Sequence, residues 1–126
     1  MITADTSAII AVLLGETGYQ NIEETLASGA LQMSAGTYAE LLIVTTGKGL
    51  RTPLSALLTA LDITFIPVDA EMAEGAGDAC EKWGKGRHPA SLNFGDCFAY
   101  ALAKATDTPL LFVGNDFAQT DVRRAV

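Results

Sequence analysis

Residues 1–15, MITADTSAIIAVLLG, contain the pattern that decides the fold. The apolar segment Met1–Ala4 predicts a short strand, and Asp5-Thr6-Ser7 then opens an apolar helix that continues to about Leu14. This order leads the chain from a buried strand into a covering helix. In open parallel sheets, ligands bind beyond the carboxyl ends of the strands. Residues that directly follow a strand are therefore the first candidates for function.

The same alternation continues along the chain. Apolar, branched and aromatic residues predict three further strands, at Leu31–Met33, Ile63–Pro67 and Pro109–Val113. Helical spacing predicts helices between them, at about Tyr19–Ala27, Thr37–Thr46, Pro53–Leu61, from a cap at Asp69 to Trp83, and Phe94–Ala105. Strands separated by helices pair in parallel. We therefore expect an α/β fold, a three-layer α/β/α sandwich with a mostly parallel sheet of four to five strands.

Length and composition limit the class of protein. A chain of 126 residues suits one core, so we expect a single domain over residues 1–126. Hydrophobic residues make up 49% of the chain and charged residues 18%, which indicates an apolar surface for a partner. No run approaches the roughly 18 apolar residues of a membrane span. The chain lacks a secretory signal pattern, and Cys80 and Cys97 fit reduced thiols. We expect a cytoplasmic protein with no membrane contact.

The net charge of −7 argues against nucleic acid as a partner, because affinity for nucleic acid comes largely from phosphate neutralisation. A bound divalent cation would offset part of that charge. The basic residues are also unevenly placed, since Lys82, Lys85 and Arg87 fall in one short stretch. These three are candidate RNA contacts, and the alternative is an ordinary solvated surface.

Four acidic residues are candidate ligands of a metal ion: Asp5, Glu40, Asp96 and Asp116. Each also has a structural explanation, because Asp5, Asp96 and Asp116 could cap or complement helix N-termini. Glu40 could form a capping box with Thr37. All four lie in apolar surroundings, however, and Glu40 has no Lys or Arg three or four residues away. Carboxylates packed together repel one another unless a cation or a proton relieves the conflict.

Oxygen ligands without a His or Cys cluster favour Mg²⁺ or Mn²⁺ over zinc. Such a site suits phosphodiester hydrolysis by an activated water. No side chain in the sequence is an obvious nucleophile. His88, the single histidine, lies in the Gly84–Pro89 loop, where we expect it to face solvent or RNA rather than to act as a general base.

Three other functions compete with hydrolysis of a phosphodiester. A haloacid-dehalogenase-like phosphatase also has an acid after its first strand, but it needs a second acid two residues later, where this chain has Ser7. A response-receiver domain needs an acidic cluster after the first strand, and its nearest phosphoacceptor here is Asp69. A non-catalytic binding module would use the acids only as caps. Metal-dependent cleavage of RNA separates this last alternative from a nuclease.

Four segments resemble the motifs of the PIN domain, in its VapC-type toxin form, and they do so in order along the whole chain. They are Ile2–Ala8, Ser34–Glu40, Gly86–Cys97 and Leu110–Phe117 followed by Thr120-Asp121. The third and fourth are the most specific. One departure is Val113, where related toxins often carry Lys. The chain is also short after Asp121, so a fifth strand should be stubby or absent.

The resemblance implies that Asp5, Glu40, Asp96 and Asp116 hold Mg²⁺ or Mn²⁺. It also implies a supporting set of hydrogen-bonding residues: Thr6, Ser7, Asn115, Thr120 and Asp121. The expected function is that of a metal-dependent endoribonuclease, the toxin of a toxin–antitoxin pair. Its partners would be an RNA substrate, a cognate antitoxin and a second copy of the chain in a homodimer.

Overall fold

Two helices follow each of the first three strands in the computed structural model, which describes all residues Met1–Val126. The strands are β1 (Ile2–Ala4), β2 (Leu31–Ser34), β3 (Ile63–Ile66) and β4 (Leu110–Leu111). The helices are α1 (Thr6–Leu13), α2 (Gln20–Ala27), α3 (Ala35–Lys48), α4 (Arg51–Ala60), α5 (Ala70–Trp83) and α6 (Phe94–Thr106), followed by a 3-10 turn at Phe117–Gln119. None of these helices combines the length and apolar character that crossing a bilayer requires.

The four strands form one sheet in the order β3-β2-β1-β4, and every pairing is parallel. Their carboxyl ends therefore lie at the same edge of the sheet. The C-terminal segment adds only a single bridge, between Leu110 and Arg124. The expectation of a mostly parallel α/β sheet is confirmed, and the fifth strand is reduced to this one pair.

Helices cover both faces of the sheet, as adjacent residues of β4 show. Leu110 packs in a cluster with α5 and α6, whereas Leu111 packs in a second cluster with residues of β1, β2 and α1 to α4. Successive side chains of a strand point to opposite faces, so the two clusters lie on the two sides of the sheet. The apolar composition thus fills two cores, which is why the strands are apolar on both faces.

Several element boundaries differ by one or two residues from the sequence expectation, and two of these differences affect the carboxyl edge of the sheet. Helix α3 begins at Ala35 rather than Thr37, because the Ser34 hydroxyl accepts a hydrogen bond from the Gly36 N–H and caps the helix directly at the end of β2. Strand β4 has two residues rather than five. After Leu111 the chain leaves the ladder, and the Val113 N–H donates to the Ser7 hydroxyl instead (3.0 Å).

A buried polar cluster joins β1, β2 and the end of α6, away from the carboxyl ends of the strands. The Gln32 amide donates to the hydroxyls of Thr3 and Thr106, each at 2.8 Å. The Thr3 and Thr108 hydroxyls also share a hydrogen bond (2.7 Å). Because Thr3 and Gln32 are buried, an unpaired group here would cost free energy.

We expect Gln32→Leu to lower the free energy of unfolding by about 1–3 kcal/mol, because it keeps the volume but removes the donors to Thr3 and Thr106. Urea unfolding measures this loss. Gln20→Leu, at an exposed position that begins α2, is the control and should change stability by less than about 0.5 kcal/mol. Equal effects of the two substitutions would contradict a structural role for the cluster.

Candidate metal centre

An open cleft of about 350 Å³ lies at the carboxyl edge of the sheet. Four acidic side chains line it, and three of them are predicted ligands: Asp5 after β1, Glu40 in α3 and Asp96 in the first turn of α6. Thr6, Ser7, Asn93 and Val113 line the same cleft, and so does Glu16, which follows α1. The topology therefore brings together residues that are separated by up to 91 positions, from 5 to 96.

The two carboxylate oxygens of Asp5 have different surroundings. One oxygen, Oδ2, caps α1 by accepting hydrogen bonds from the Ser7 N–H (3.0 Å) and the Ser7 hydroxyl (2.7 Å). The other oxygen, Oδ1, is buried and has no hydrogen-bond partner. Burial raises the pKa of Asp5 from 3.8 to about 6 against the opposing bonds from Ser7, and the charge of Glu40 adds to the rise. An unpartnered buried carboxylate oxygen calls for a cation or a proton.

Glu40 is not a helix cap. The capping box with Thr37 is absent, because Ser34 caps α3 and the Thr37 hydroxyl is buried without a partner. The Glu40 carboxylate instead accepts a hydrogen bond from the Thr6 hydroxyl across to α1 (2.7 Å). No Lys or Arg forms an ion pair with Glu40. The structure has two ion pairs, Lys104–Asp121 and Arg123–Asp107, and neither includes an acidic residue of the cleft.

Asp96 repeats the division seen at Asp5. Its Oδ2 accepts a hydrogen bond from the Asn93 N–H (3.0 Å), while the Asn93 side chain accepts one from the Asp96 N–H (2.9 Å), so the two residues form a capping box. Burial is the main reason that the pKa of Asp96 rises to about 7, in spite of the bond from Asn93, and the charges of Asp5, Glu40 and Asp116 contribute to that rise. Capping therefore accounts for one oxygen and leaves the other for the cleft.

Asp116 lies outside the lining of this cleft. It is exposed and precedes the 3-10 turn, but its side chain makes no capping hydrogen bond there. Its charge still acts on Asp96, whose pKa it raises. In the present side-chain positions, no three acidic residues stand close enough together to hold one ion among them. Three of the four predicted ligands thus line one cleft, and the fourth lies near enough to add its charge.

The predicted supporting residues separate into two groups. Thr6 and Ser7 lie in the cleft and bind the carboxylates of Glu40 and Asp5. The other three lie elsewhere, because the loop after β4 turns away into the 3-10 turn. The Thr120 hydroxyl donates to the Phe117 carbonyl, Asp121 accepts from Tyr100 and pairs with Lys104, and the side chain of Asn115 is exposed.

The basic stretch lies at the end of α5 and in the loop that follows. Lys82 places its ammonium over the Trp83 ring, 4.9 Å from the ring centre, and Lys85 and Arg87 are exposed. His88 is half-buried rather than free in solvent, since its Nδ1 accepts from the Ala90 N–H (2.9 Å) and its ring meets Trp83 edge-on. The expectation that His88 faces solvent or RNA is therefore wrong in part, and its contacts are structural.

Two residues matter to the site beyond those predicted from the sequence. Asn93 fixes Asp96 through the capping box, and the Asn-x-x-Asp spacing before a helix was the signal that could have identified it. Gly95 allows α6 to approach Glu40, because a Cβ at this position would overlap the Glu40 carboxylate. Nothing in the local sequence indicates that approach, which depends on how α3 and α6 cross.

A family model described as the PIN domain matches residues 2–123 of the chain. This chain belongs to the PIN-domain family. Its curated relatives include Ribonuclease VapC of Mycolicibacterium smegmatis, 41% identical over 94% of this chain and 95% of the relative. Ribonuclease VapC42 of Mycobacterium tuberculosis is 43% identical over 96% of both chains. Within the family the chain therefore groups with the VapC ribonucleases.

Solved structures agree on the fold of this PIN domain. VapC20 of Mycobacterium tuberculosis, described as a sarcin–ricin loop cleaving toxin, has a TM-score of 0.76 over 97% of this chain and 96% of its own, at 16% identity. A toxin–antitoxin complex from Klebsiella pneumoniae has a TM-score of 0.71 over 96% and 93%, also at 16% identity. At this identity the likeness concerns the fold.

We expect the metal-free PIN domain to lose stability as the pH rises from about 4 through about 7. Asp5 and Asp96 have raised pKa values in the folded state, so between these limits the folded chain holds protons that the unfolded chain has released. The melting temperature in EDTA should thus be several degrees lower at pH 8 than at pH 5.5. Asp96→Asn should reduce this difference, and an unchanged pH dependence in that variant would contradict the interpretation.

We expect Gly95→Ala to weaken Mn²⁺ binding by about tenfold or more, because the new methyl group displaces the carboxylate of Glu40. The fold should survive, since the group that must move is the end of a flexible side chain. Calorimetric titration with Mn²⁺ measures the loss. Gly77→Ala in α5, where a Cβ meets nothing within 4 Å, is the matched control. Equal Mn²⁺ affinity in the two variants would remove Glu40 from the metal site.

Proposed function

We propose that this chain is a Mg²⁺- or Mn²⁺-dependent endoribonuclease that acts as the toxin of a toxin–antitoxin pair, with Asp5, Glu40 and Asp96 as the principal metal ligands. One observation carries the site assignment. The three proposed ligands line a single cleft together with Glu16, no Lys or Arg pairs with these carboxylates, and a buried oxygen of Asp5 has no partner. Membership of the VapC ribonuclease group supports the reaction class.

The donor set fits a hard divalent cation, because it consists of carboxylate and hydroxyl oxygens without a thiolate or imidazole. PIN-domain nucleases of the VapC type generally depend on a divalent metal. When bound, Mg²⁺ or Mn²⁺ supplies Lewis-acid stabilisation of the phosphate oxygens and lowers the pKa of water. We assign Asp116 to the outer part of this site, where its carboxylate adds negative charge from the exposed loop.

The residues around the acids orient them and leave no side-chain nucleophile. The Ser7 hydroxyl donates to Asp5 and accepts from the Val113 N–H, so both of its roles are taken. The Thr6 hydroxyl is held by Glu40. Asn93 fixes the rotamer of Asp96 through two hydrogen bonds. These contacts favour attack on the phosphate by water rather than by a side chain of the cleft.

The alternative functions have less support. A phosphatase of the haloacid-dehalogenase type lacks its second acid, because Ser7 occupies that position and is bound to Asp5. A receiver domain lacks its acidic cluster, and Asp69 caps α5 by accepting a hydrogen bond from the Met72 N–H (2.9 Å). A non-catalytic binding module explains the capping oxygens of Asp5 and Asp96. It does not explain Glu40, which caps nothing and has no cationic partner.

Partners follow from the same proposal. The similar structure from Klebsiella pneumoniae is described as a toxin–antitoxin complex, and that from Rickettsia felis as VapBC2 bound to a DNA fragment from its promoter. These descriptions support a cognate antitoxin as a partner here. We further propose an RNA substrate whose phosphates meet Lys82, Lys85 and Arg87, a homodimer, and a single domain over residues 1–126. A cytoplasmic location stays a prediction.

We expect Asp96→Asn to lower metal-dependent RNA cleavage by at least about a hundredfold, because it removes a negative charge that the cation needs. Stability should change little, since the Asn oxygen can still accept the bond from the Asn93 N–H. The measurement is cleavage of total RNA by the purified protein in Mn²⁺ or Mg²⁺, with EDTA abolishing it, beside melting curves.

Asp107→Asn is the matched control for this substitution. Asp107 ends the same helix α6, has an exposed side chain, and lies outside the cleft. Its left-handed backbone conformation (φ 50°) is one that Asn adopts readily. Cleavage that persists in a folded Asp96→Asn protein, at the level of the Asp107→Asn control, would refute the proposed site.

A further inference from the structure

A second cavity, of about 530 Å³, lies beside the acidic cleft, between α5 and α6. Its walls are largely apolar and come from Ala73, Ala76, Leu92, Cys97, Phe94 and Phe98. Lys85, Asn93, Cys80 and Gly77 complete the lining. Asn93 also lines the acidic cleft. The two cavities are therefore neighbours that share one lining residue, the same residue that fixes Asp96.

Phe94 is the most prominent feature of this second cavity. Its side chain is 82% exposed, more than any other large hydrophobic residue of the chain. It is the first residue of α6, two positions before Asp96, and its only aromatic contact is Phe98, edge-on at 5.1 Å. A ring this exposed contributes little to folding, because it removes little apolar area from water. Packing within the chain does not account for its position.

We propose that this cavity receives an unpaired base of the RNA, from a nucleotide next to the scissile phosphate, with the ring of Phe94 as the stacking surface. The proposal rests on the proposed ribonuclease function and adds to it a base-binding surface, the ring of Phe94, outside the acidic cleft. Lys85 lies on the same cavity and is the charge that complements the adjoining phosphate. Asn93 connects the base to the acids that act on the phosphate.

Charge gives an independent reason for stacking. The net charge of −7 and the acidic cleft both repel the RNA backbone, so affinity from phosphate neutralisation is limited. Stacking of a base on an aromatic ring does not depend on net charge and tolerates different sequences. A base within a duplex is already stacked on its neighbours, so occupation of this cavity selects loops and single strands.

The test is equilibrium binding of labelled RNA octamers by fluorescence anisotropy, with every variant carrying Asp96→Asn to prevent cleavage. The probes are octaadenylate and an abasic octamer with the same sugar–phosphate backbone. We expect the chain to bind octaadenylate more tightly than the abasic octamer. Phe94→Ala should weaken octaadenylate binding by about tenfold and leave abasic binding unchanged. Phe94→Leu should behave like Phe94→Ala, whereas Phe94→Trp should retain the affinity.

Two controls separate base stacking from other effects. Phe65→Ala removes an aromatic ring from β3, which lies outside both cavities, and should leave both affinities unchanged. Lys85→Gln should weaken the two probes equally, because it removes a phosphate contact. Light scattering reports the oligomeric state of each variant.

The proposal would be overturned if the Phe94→Ala variant bound octaadenylate as tightly as the Asp96→Asn protein that retains Phe94. Dissociation of an oligomer by Phe94→Ala with unchanged RNA affinity would also overturn it, since Phe94 would then belong to a protein interface. Cleavage of RNA by the chain with Asp96 intact is measured separately. Its absence would refute the ribonuclease assignment, whereas the comparison of the two octamers decides the stacking site alone.

Discussion

Mutual repulsion of carboxylates is the constraint on which the rest of the structure depends. Asp5, Glu40 and Asp96 carry like charges on one cleft, and the fold must hold them there. It does so with groups of opposite polarity. Asp5 and Asp96 each give one oxygen to the N-terminus of a helix, where free N–H groups and the helix dipole favour negative charge. Burial is the main cause of the raised pKa values of Asp5 and Asp96, and the remaining repulsion between the carboxylates adds to it.

Parts of this arrangement follow from local sequence. Strands and helices alternate, so the sequence predicts a parallel sheet, and in such a sheet the residues after the strands share an edge. For that reason the sequence predicts that Asp5, which follows the first strand, lies at this edge. Glu40 could be selected because its neighbours are apolar and offer no cation. From the sequence alone, helix capping and metal binding were treated as alternatives. Asp5 and Asp96 each use only one carboxylate oxygen for capping, so the two roles are compatible.

Other parts depend on contacts between distant elements and could not be predicted. Gly95 matters because α6 passes close to Glu40 of α3. The hydrophobic periodicity of the sequence does not indicate how close two helices come. Asp121 resembles a site residue by its motif, but the chain after β4 turns away and Tyr100 and Lys104 bind it. His88 has few neighbours in sequence that could bury it, yet Trp83, five positions earlier on α5, packs against its ring.

The polar cluster around Gln32 has a consequence for how the chain reaches its native pairing. Strands that are apolar on both faces carry little information about register, because a slip of one residue exchanges one apolar face for another. In this sheet such a slip would bury the Gln32 amide and the Thr3 hydroxyl without partners. Shifted registers of the strands are therefore less stable than the native register. The hydrogen bonds of Gln32 and Thr3 therefore favour the native register of β1 and β2, in which Asp5 lies at the carboxyl edge of the sheet.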